Sequence, residues 1–243
     1  LQAHIQGKTE GKNATHKCFT RIPISDNEAV EVGREGIVGS SEWHRHKQTS
    51  ERYSDENLED RAILCQSVQI LTALKRRFPK LSDFEQMSFG ENLVIDGATT
   101  ENICVGDRFA IDRGESGLIL EVSFPRRPCY KVDMTHGKKF GKKGVRQYCA
   151  ETGSAGWFFR VVKSGNIMNG DKLRLTHRLH DKYNLEYVSG LVYKGCSPDY
   201  KNLTFHGTDL EYKELVEMKE LGLHEWKSNL LQMKRDKAGN WPT

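Results

Sequence analysis

The chain has no Cys-x-x-Cys pair, no apolar run long enough to cross a bilayer, and no basic-then-apolar leader at its start. Its six cysteines (Cys18, Cys65, Cys104, Cys129, Cys149 and Cys196) stand at wide, irregular intervals. That spacing argues against a zinc site or a dense disulfide framework and points to a reducing compartment, the cytoplasm or its equivalent. The missing apolar run argues against a membrane-embedded role. The chain opens at Leu1 rather than Met, as a processed or truncated chain would, so a targeting segment would not be visible in it. Strong charge of one sign is absent too. With 37 Lys and Arg against 33 Asp and Glu, the net +4 gives no general reason to expect a nucleic-acid partner.

What remains is a chain of 243 residues with 37% hydrophobic content, enough to bury the core of one large or two modest domains. The first part reads as short strands joined by glycine turns. Leu1 to Gln6 and Phe19 to Ile24 are candidate strands, and Ser40 to Glu59 is polar, lacks periodicity and reads as a long loop. After the apolar run Ala62 to Cys65, Ser67 is placed to cap a helix whose Val68, Leu71, Leu74 and Phe78 repeat near helical spacing, closed by Pro79. Strand signals resume at Leu93 to Ile95, Arg108 to Ile111, Gly117 to Phe124 and Leu173 to Leu175, with turns at Gly106-Asp107 and Gly114. Beyond Thr176, Leu185, Val188 and Val192 share one helical face, and Leu210 to Leu221 and Leu223 to Arg235 read as two further helices. The expected fold is α+β, with a β-barrel-rich domain over residues 1–176 and a small three-helix domain over 177–243.

Chemistry points first to Cys129, in the run Ser123-Phe-Pro-Arg-Arg-Pro-Cys-Tyr-Lys131. Pro125 and Pro128 stiffen the turn after a strand. Arg126, Arg127 and Lys131 favour the thiolate, the form that acts as nucleophile and metal ligand. The plainer alternative is a small buried hydrophobe.

Several motifs in series resemble those of one family: Phe89-Gly90-Glu91-Asn92-Leu93; Glu101 to Phe109; Pro125-Arg-Arg-Pro-Cys-Tyr-Lys131; Gly156-Trp-Phe-Phe-Arg-Val161; and Gly170-Asp-Lys-Leu173. In order and spacing they are similar to the MOSC domain (molybdenum cofactor sulfurase C-terminal domain), in its YiiM-type branch. The tail Leu221-Gly-Leu-His-Glu-Trp226 resembles the three-helix appendage of that branch. The resemblance implies a β-barrel-rich α+β fold, a molybdopterin-type cofactor, and Cys129 as molybdenum or sulfur ligand. It also implies reduction of N-hydroxylated compounds such as hydroxylaminopurines, with electrons from a separate redox protein. The alternative within the same family is a carrier of cofactor or sulfur, with a persulfide on Cys129 and no turnover of its own.

A phosphorylated pterin dithiolene is anionic and needs cations in fixed geometry. Arg21, Arg126 and Arg160 are the cations expected to meet it, with Lys131 beside the cysteine, while Asn92 and Glu91 suit the polar edge of a heterocycle. Each has a plainer role open to it. Glu91 and Asn92 can cap a turn before a strand, Arg160 can be a surface strand residue, and Arg126 can make a backbone contact only.

Other features carry less. Lys138, Lys139, Lys142, Lys143 and Arg146 form a glycine-spaced basic run that reads as a solvated loop or as a lid over an anionic ligand. His44 and His46, with Cys65 as a distant third ligand, make a poor metal site. Cys104 reads as packing, and Cys149, near Arg146, as a weak candidate for a second reactive thiol.

Overall fold

A computed structural model describes residues 2–5, 24–39, 59–79, 88–114, 117–128, 132–133, 144–193, 204–205, 213–214 and 234–235. Short strands dominate it: β1 (Gln2–Ile5), β2 (Val30–Gly33), β3 (Gly36–Ile37), β4 (Ile63–Ser67), β5 (Leu93–Asp96), β6 (Arg108–Ile111), β7 (Ile119–Pro125), β8 (Trp157–Lys163), β9 (Gly165–Ile167) and β10 (Leu173–His177). Seven of them form one sheet in the order β1-β5-β4-β8-β7-β6-β10, curled into a half-barrel. Every pairing in it is antiparallel except β4 with β5.

That parallel pair needs a crossover, and α1 (Val68–Arg77) begins it. Ser67 does two jobs at the junction. Its extended backbone ends β4, and its Oγ accepts the Ile70 N–H at 3.1 Å while donating to the Ala98 carbonyl at 2.7 Å. Ile70, Leu71 and Leu74 then turn the helix's apolar face onto the sheet.

Period-two alternation fills the half-barrel. Trp157, Phe159 and Val161 of β8 point inward with Leu120 and Val122 of β7, while Phe158, Arg160 and Glu121 point outward. Phe159 meets Phe109 and Trp157 edge to face, each at 6.0 Å between centroids. A bulge between Val122 and Phe124 resets the alternation, so Phe124 lies beside Phe158 at 5.2 Å. The smaller sheet, β3-β2-β9, closes over the apolar interior with Val32, Ile37 and Ile167 facing Ile63, Leu93 and Leu120.

Two more helices, α2 (Val145–Thr152) and α3 (Leu185–Tyr193), pack on one another, and Val145, Cys149, Leu185 and Val188 join the same core. Gly153 ends α2 in the left-handed conformation (φ 71°), and a Cβ there would lie 2.7 Å from Ser189 Oγ.

The α+β class and the strands at Gln2–Ile5, Leu93–Asp96, Arg108–Ile111, Ile119–Pro125 and Leu173–His177 agree with the sequence reading, as does the Ser67-capped helix. Two points correct it. Arg146 belongs to α2 rather than to a basic loop, because Val145, Cys149 and Ala150 give that helix a buried side, and its Nε pairs with Asp133 at 2.9 Å. Lys234 and Arg235, at the end of the last expected helix, form β12 and pair in parallel with Thr204–Phe205 (β11). All of the expected strand at Phe19 to Ile24 but Ile24, all of the expected loop over Ser40 to Glu59 but Glu59, and nearly all of the last two expected helices lie outside the described residues. Among the described residues no helix is long and apolar enough to cross a membrane.

Candidate functional site

One corner of the half-barrel gathers buried polar groups at the root of the segment that runs on to Cys129. There β7 ends opposite the start of β8, with Pro125 paired to Trp157 and Trp157 to Cys65. The Arg126 N–H extends this pairing to the Gly156 carbonyl at 2.8 Å. Only glycine suits position 156, where φ is 90° and a Cβ would stand 2.2 Å from the Cys65 carbonyl oxygen.

Glu91 and Asn92 enter this corner from the turn before β5. Asn92 exchanges two bonds with Leu64: its N–H donates to the Leu64 carbonyl at 2.8 Å, and its Oδ1 accepts the Leu64 N–H at 2.9 Å. The side chain thus extends the β4–β5 pairing beyond the strand. Glu91 is fully buried, and its Oε2 accepts the Phe89 N–H at 3.0 Å. Arg126, 7% exposed, donates through Nη1 to the carbonyl of the same Phe89. Phe89 is thereby held on one side by an acid and on the other by a guanidinium. Gln66 completes the cluster, donating to the Ser154 carbonyl at 3.1 Å and accepting the Ser67 N–H at 3.0 Å. Gln66 and Ser154 were not legible as site residues, since nothing in their local sequence marks them as buried.

Electrostatics at this corner sets the thiols apart. Burial pushes the Cys65 thiol well up, and the Glu91 carboxylate adds to the effect. Burial also raises Cys149, with Arg126 opposing and Asp133 reinforcing. A fully buried thiol held in its protonated form is not a second reactive group, which corrects the expectation for Cys149. Cys104 is buried and donates to the Asp181 carbonyl at 3.6 Å, in keeping with its expected packing role.

Arg160 sits in a different cluster, on the outer face of the sheet. Its Nε lies 3.2 Å from Asp60 Oδ1 and 3.5 Å from Glu121 Oε1, and Glu121 in turn binds Arg108 at 2.5 Å. These residues form a row of alternating charge across β8, β7 and β6, covered by the turn Glu59–Arg61. The neighbouring Arg61 guanidinium lies 5.9 Å from the centroids of both Phe124 and Phe158.

The structure therefore brings together Glu91, Asn92 and Arg126 and places Arg160 elsewhere. Cys129, Arg21 and Lys131 lie outside the described residues, as do His44 and His46. Among the described residues no three His, Cys, Asp or Glu side chains are grouped to hold a metal. Glu91, Asn92 and Arg126 are all buried and bonded to backbone groups, so they build a polar corner in an otherwise apolar barrel.

Comparison with known proteins identifies the family and the fold. The chain is 37% identical over 117 residues to YflK, an uncharacterized protein of Bacillus subtilis strain 168, covering 48% of each chain. It is 33% identical over 114 residues to a protein of Gibberella moniliformis named Reductase, covering 47% of this chain and 19% of that one. The match to protein YiiM of Escherichia coli K12 is 36% over 107 residues and covers 44% of each. In each case the match spans about half of the relative's length or less. The crystal structure of the Escherichia coli YiiM superimposes with a TM-score of 0.65 at 20% identity, over 98% of this chain and 96% of that one, which establishes a shared fold. The family model of the MOSC domain matches residues 40–174, more than half of the chain, and with YiiM-type relatives in both sequence and structure this chain belongs to the MOSC domain family.

Proposed function

We propose that this chain binds a molybdenum cofactor of the molybdopterin type through the Cys129 thiolate and reduces N-hydroxylated compounds. The observation that carries the reading is membership of the MOSC family together with the buried polar corner of Glu91 and Asn92 from which the Cys129 segment runs on. A relative named Reductase supports the reaction class.

The chain's own contributions divide by residue. Cys129 supplies a soft sulfur ligand, which a hydroxyl does not replace. Glu91 and Asn92 shape the corner through their bonds to Phe89 and Leu64, and the apolar half-barrel behind them excludes water. Arg126 and Arg160 already hold protein partners. Arg21 and Lys131, outside the described residues, are the cations proposed to meet the charge of an anionic ligand. A bound cofactor of this kind supplies two-electron redox chemistry that the side chains lack. Overall the N–O bond of a hydroxylamine breaks, two electrons arrive from a separate redox protein and two protons from solvent, one going to the oxygen, which leaves as water, and one to the nitrogen. The nitrogen departs as the amine.

Elemental analysis of protein produced in a cofactor-competent host tests the reading. Near-stoichiometric molybdenum, lost in Cys129→Ser with the fold retained, is the expected result. Molybdenum-free protein carrying one extra sulfur on Cys129 would instead assign a carrier.

A further inference from the structure

We propose that Arg126 is a positioning residue, whose inward-turned guanidinium fixes the Pro125–Pro128 turn, and so the start of the Cys129 segment, against the loop over residues 88–91. The proposal rests on the reading of Cys129 as the ligand but concerns a different group. A cation meant to meet a ligand is kept with its guanidinium open to the site, whereas Arg126 is 7% exposed. Its Nη1 donates to the Phe89 carbonyl. Its backbone N–H donates to Gly156 at 2.8 Å. One residue thus ties the end of β7 to two separate stretches of chain.

Phe89 is also held from the other side. Its N–H enters the Glu91 carboxylate at 3.0 Å, and its ring is fully buried. The loop that receives Arg126 is therefore rigid, and the flanking prolines make the turn that carries it stiff. An arginine lends itself to this role because its fork has fixed geometry and keeps its charge when buried; a lysine keeps the charge but offers a single mobile point of contact. Cys129 follows Arg126 by only three residues in the sequence.

The test separates position from charge. Alkylation of Cys129 by iodoacetamide in cofactor-free protein, followed against pH by peptide mass spectrometry, yields a midpoint that reports charge and a high-pH plateau that reports access to the thiolate. Arg126→Lys and Arg126→Gln are compared with the unaltered chain. If Arg126 positions the segment, both variants change the plateau rate by about threefold or more, and Lys does not restore it. If Lys behaves as arginine does and Gln only raises the midpoint, Arg126 acts through charge and the proposal is overturned. Should Gln fail to fold, the plateau of the Lys variant decides alone. None of these readouts uses molybdenum, so failure of Cys129→Ser to lose the metal would sink the cofactor reading and leave this result standing.

Discussion

A β-carbon on Gly156 would lie 2.2 Å from the carbonyl oxygen of Cys65, closer than any repacking of side chains relieves, because the atom it meets is backbone. Gly156→Ala therefore combines two costs, a positive φ of 90° and a main-chain clash between β4 and β8. Gly170, with φ 81° and nothing within 4 Å of its would-be Cβ, carries the first cost only. Urea unfolding should show a loss of about 1 kcal/mol for Gly170→Ala and about 3 kcal/mol or more for Gly156→Ala. Equal losses would mean that the strands separate freely at this corner.

The buried thiols should stay silent. With Cys65 and Cys149 fully buried and both raised by burial, native labelling at pH 8 should leave them unmodified while denatured protein labels at every cysteine. The expected protection is roughly a thousandfold or more in rate, set by the rarity of global opening. Fast modification of Cys149 in folded protein would show that α2 opens locally.

Local signals explain why some of this was legible. Ser67 before a Val68, Leu71, Leu74 stripe reads as a capped helix because cap and stripe lie within ten residues of each other, and Gly114 stands in the short connection between β6 and β7, which pair antiparallel. Long-range partners left no such trace. Arg160 finds Asp60 a hundred positions away, and Arg126 finds Phe89 across 37 residues. Neither pairing has any local periodicity to announce it, so both arginines read as cations awaiting a ligand. Helix α2 was hidden for another reason. Only Val145, Cys149 and Ala150 mark its buried side, and they follow directly on a glycine-lysine run whose composition signals a loop. The strands β2, β3 and β9, two to four residues long, offer too few positions for alternation to be read.

The contact between α3 and residues 213–214 should depend on pH at both ends. Glu214 accepts from Lys182 and from the Tyr187 hydroxyl. Lys182, and then Tyr187, hold the Glu214 carboxyl below its usual range, so its contribution is present above about pH 4.3 and is lost as pH falls through the lowered folded value. Burial, with the bond to Glu214, pushes Tyr187 up to about 12, and the bond to Glu214 raises Lys182. Those contributions are present below about pH 10 and are lost as pH rises through the raised values. The difference in thermal midpoint between the unaltered chain and Glu214→Gln should therefore be level from about pH 5 to 9 and shrink on either side. A difference independent of pH would place the stabilisation outside this contact.

Arg160 should prove to be a structural residue. Removing it leaves Asp60, 5% exposed at its side chain, and Glu121, 13% exposed, as like charges without the cation between them. Arg160→Leu is expected to cost roughly 3 kcal/mol in urea unfolding, the range for breaking a buried pair from one side. Adding Asp60→Asn to that variant should recover part of the loss, because the uncompensated acid is what destabilises. The opposite pattern, unchanged stability with molybdenum content falling in Arg160→Leu, would return Arg160 to the cofactor site and require Asp60 and Glu121 to yield their partner when the ligand binds.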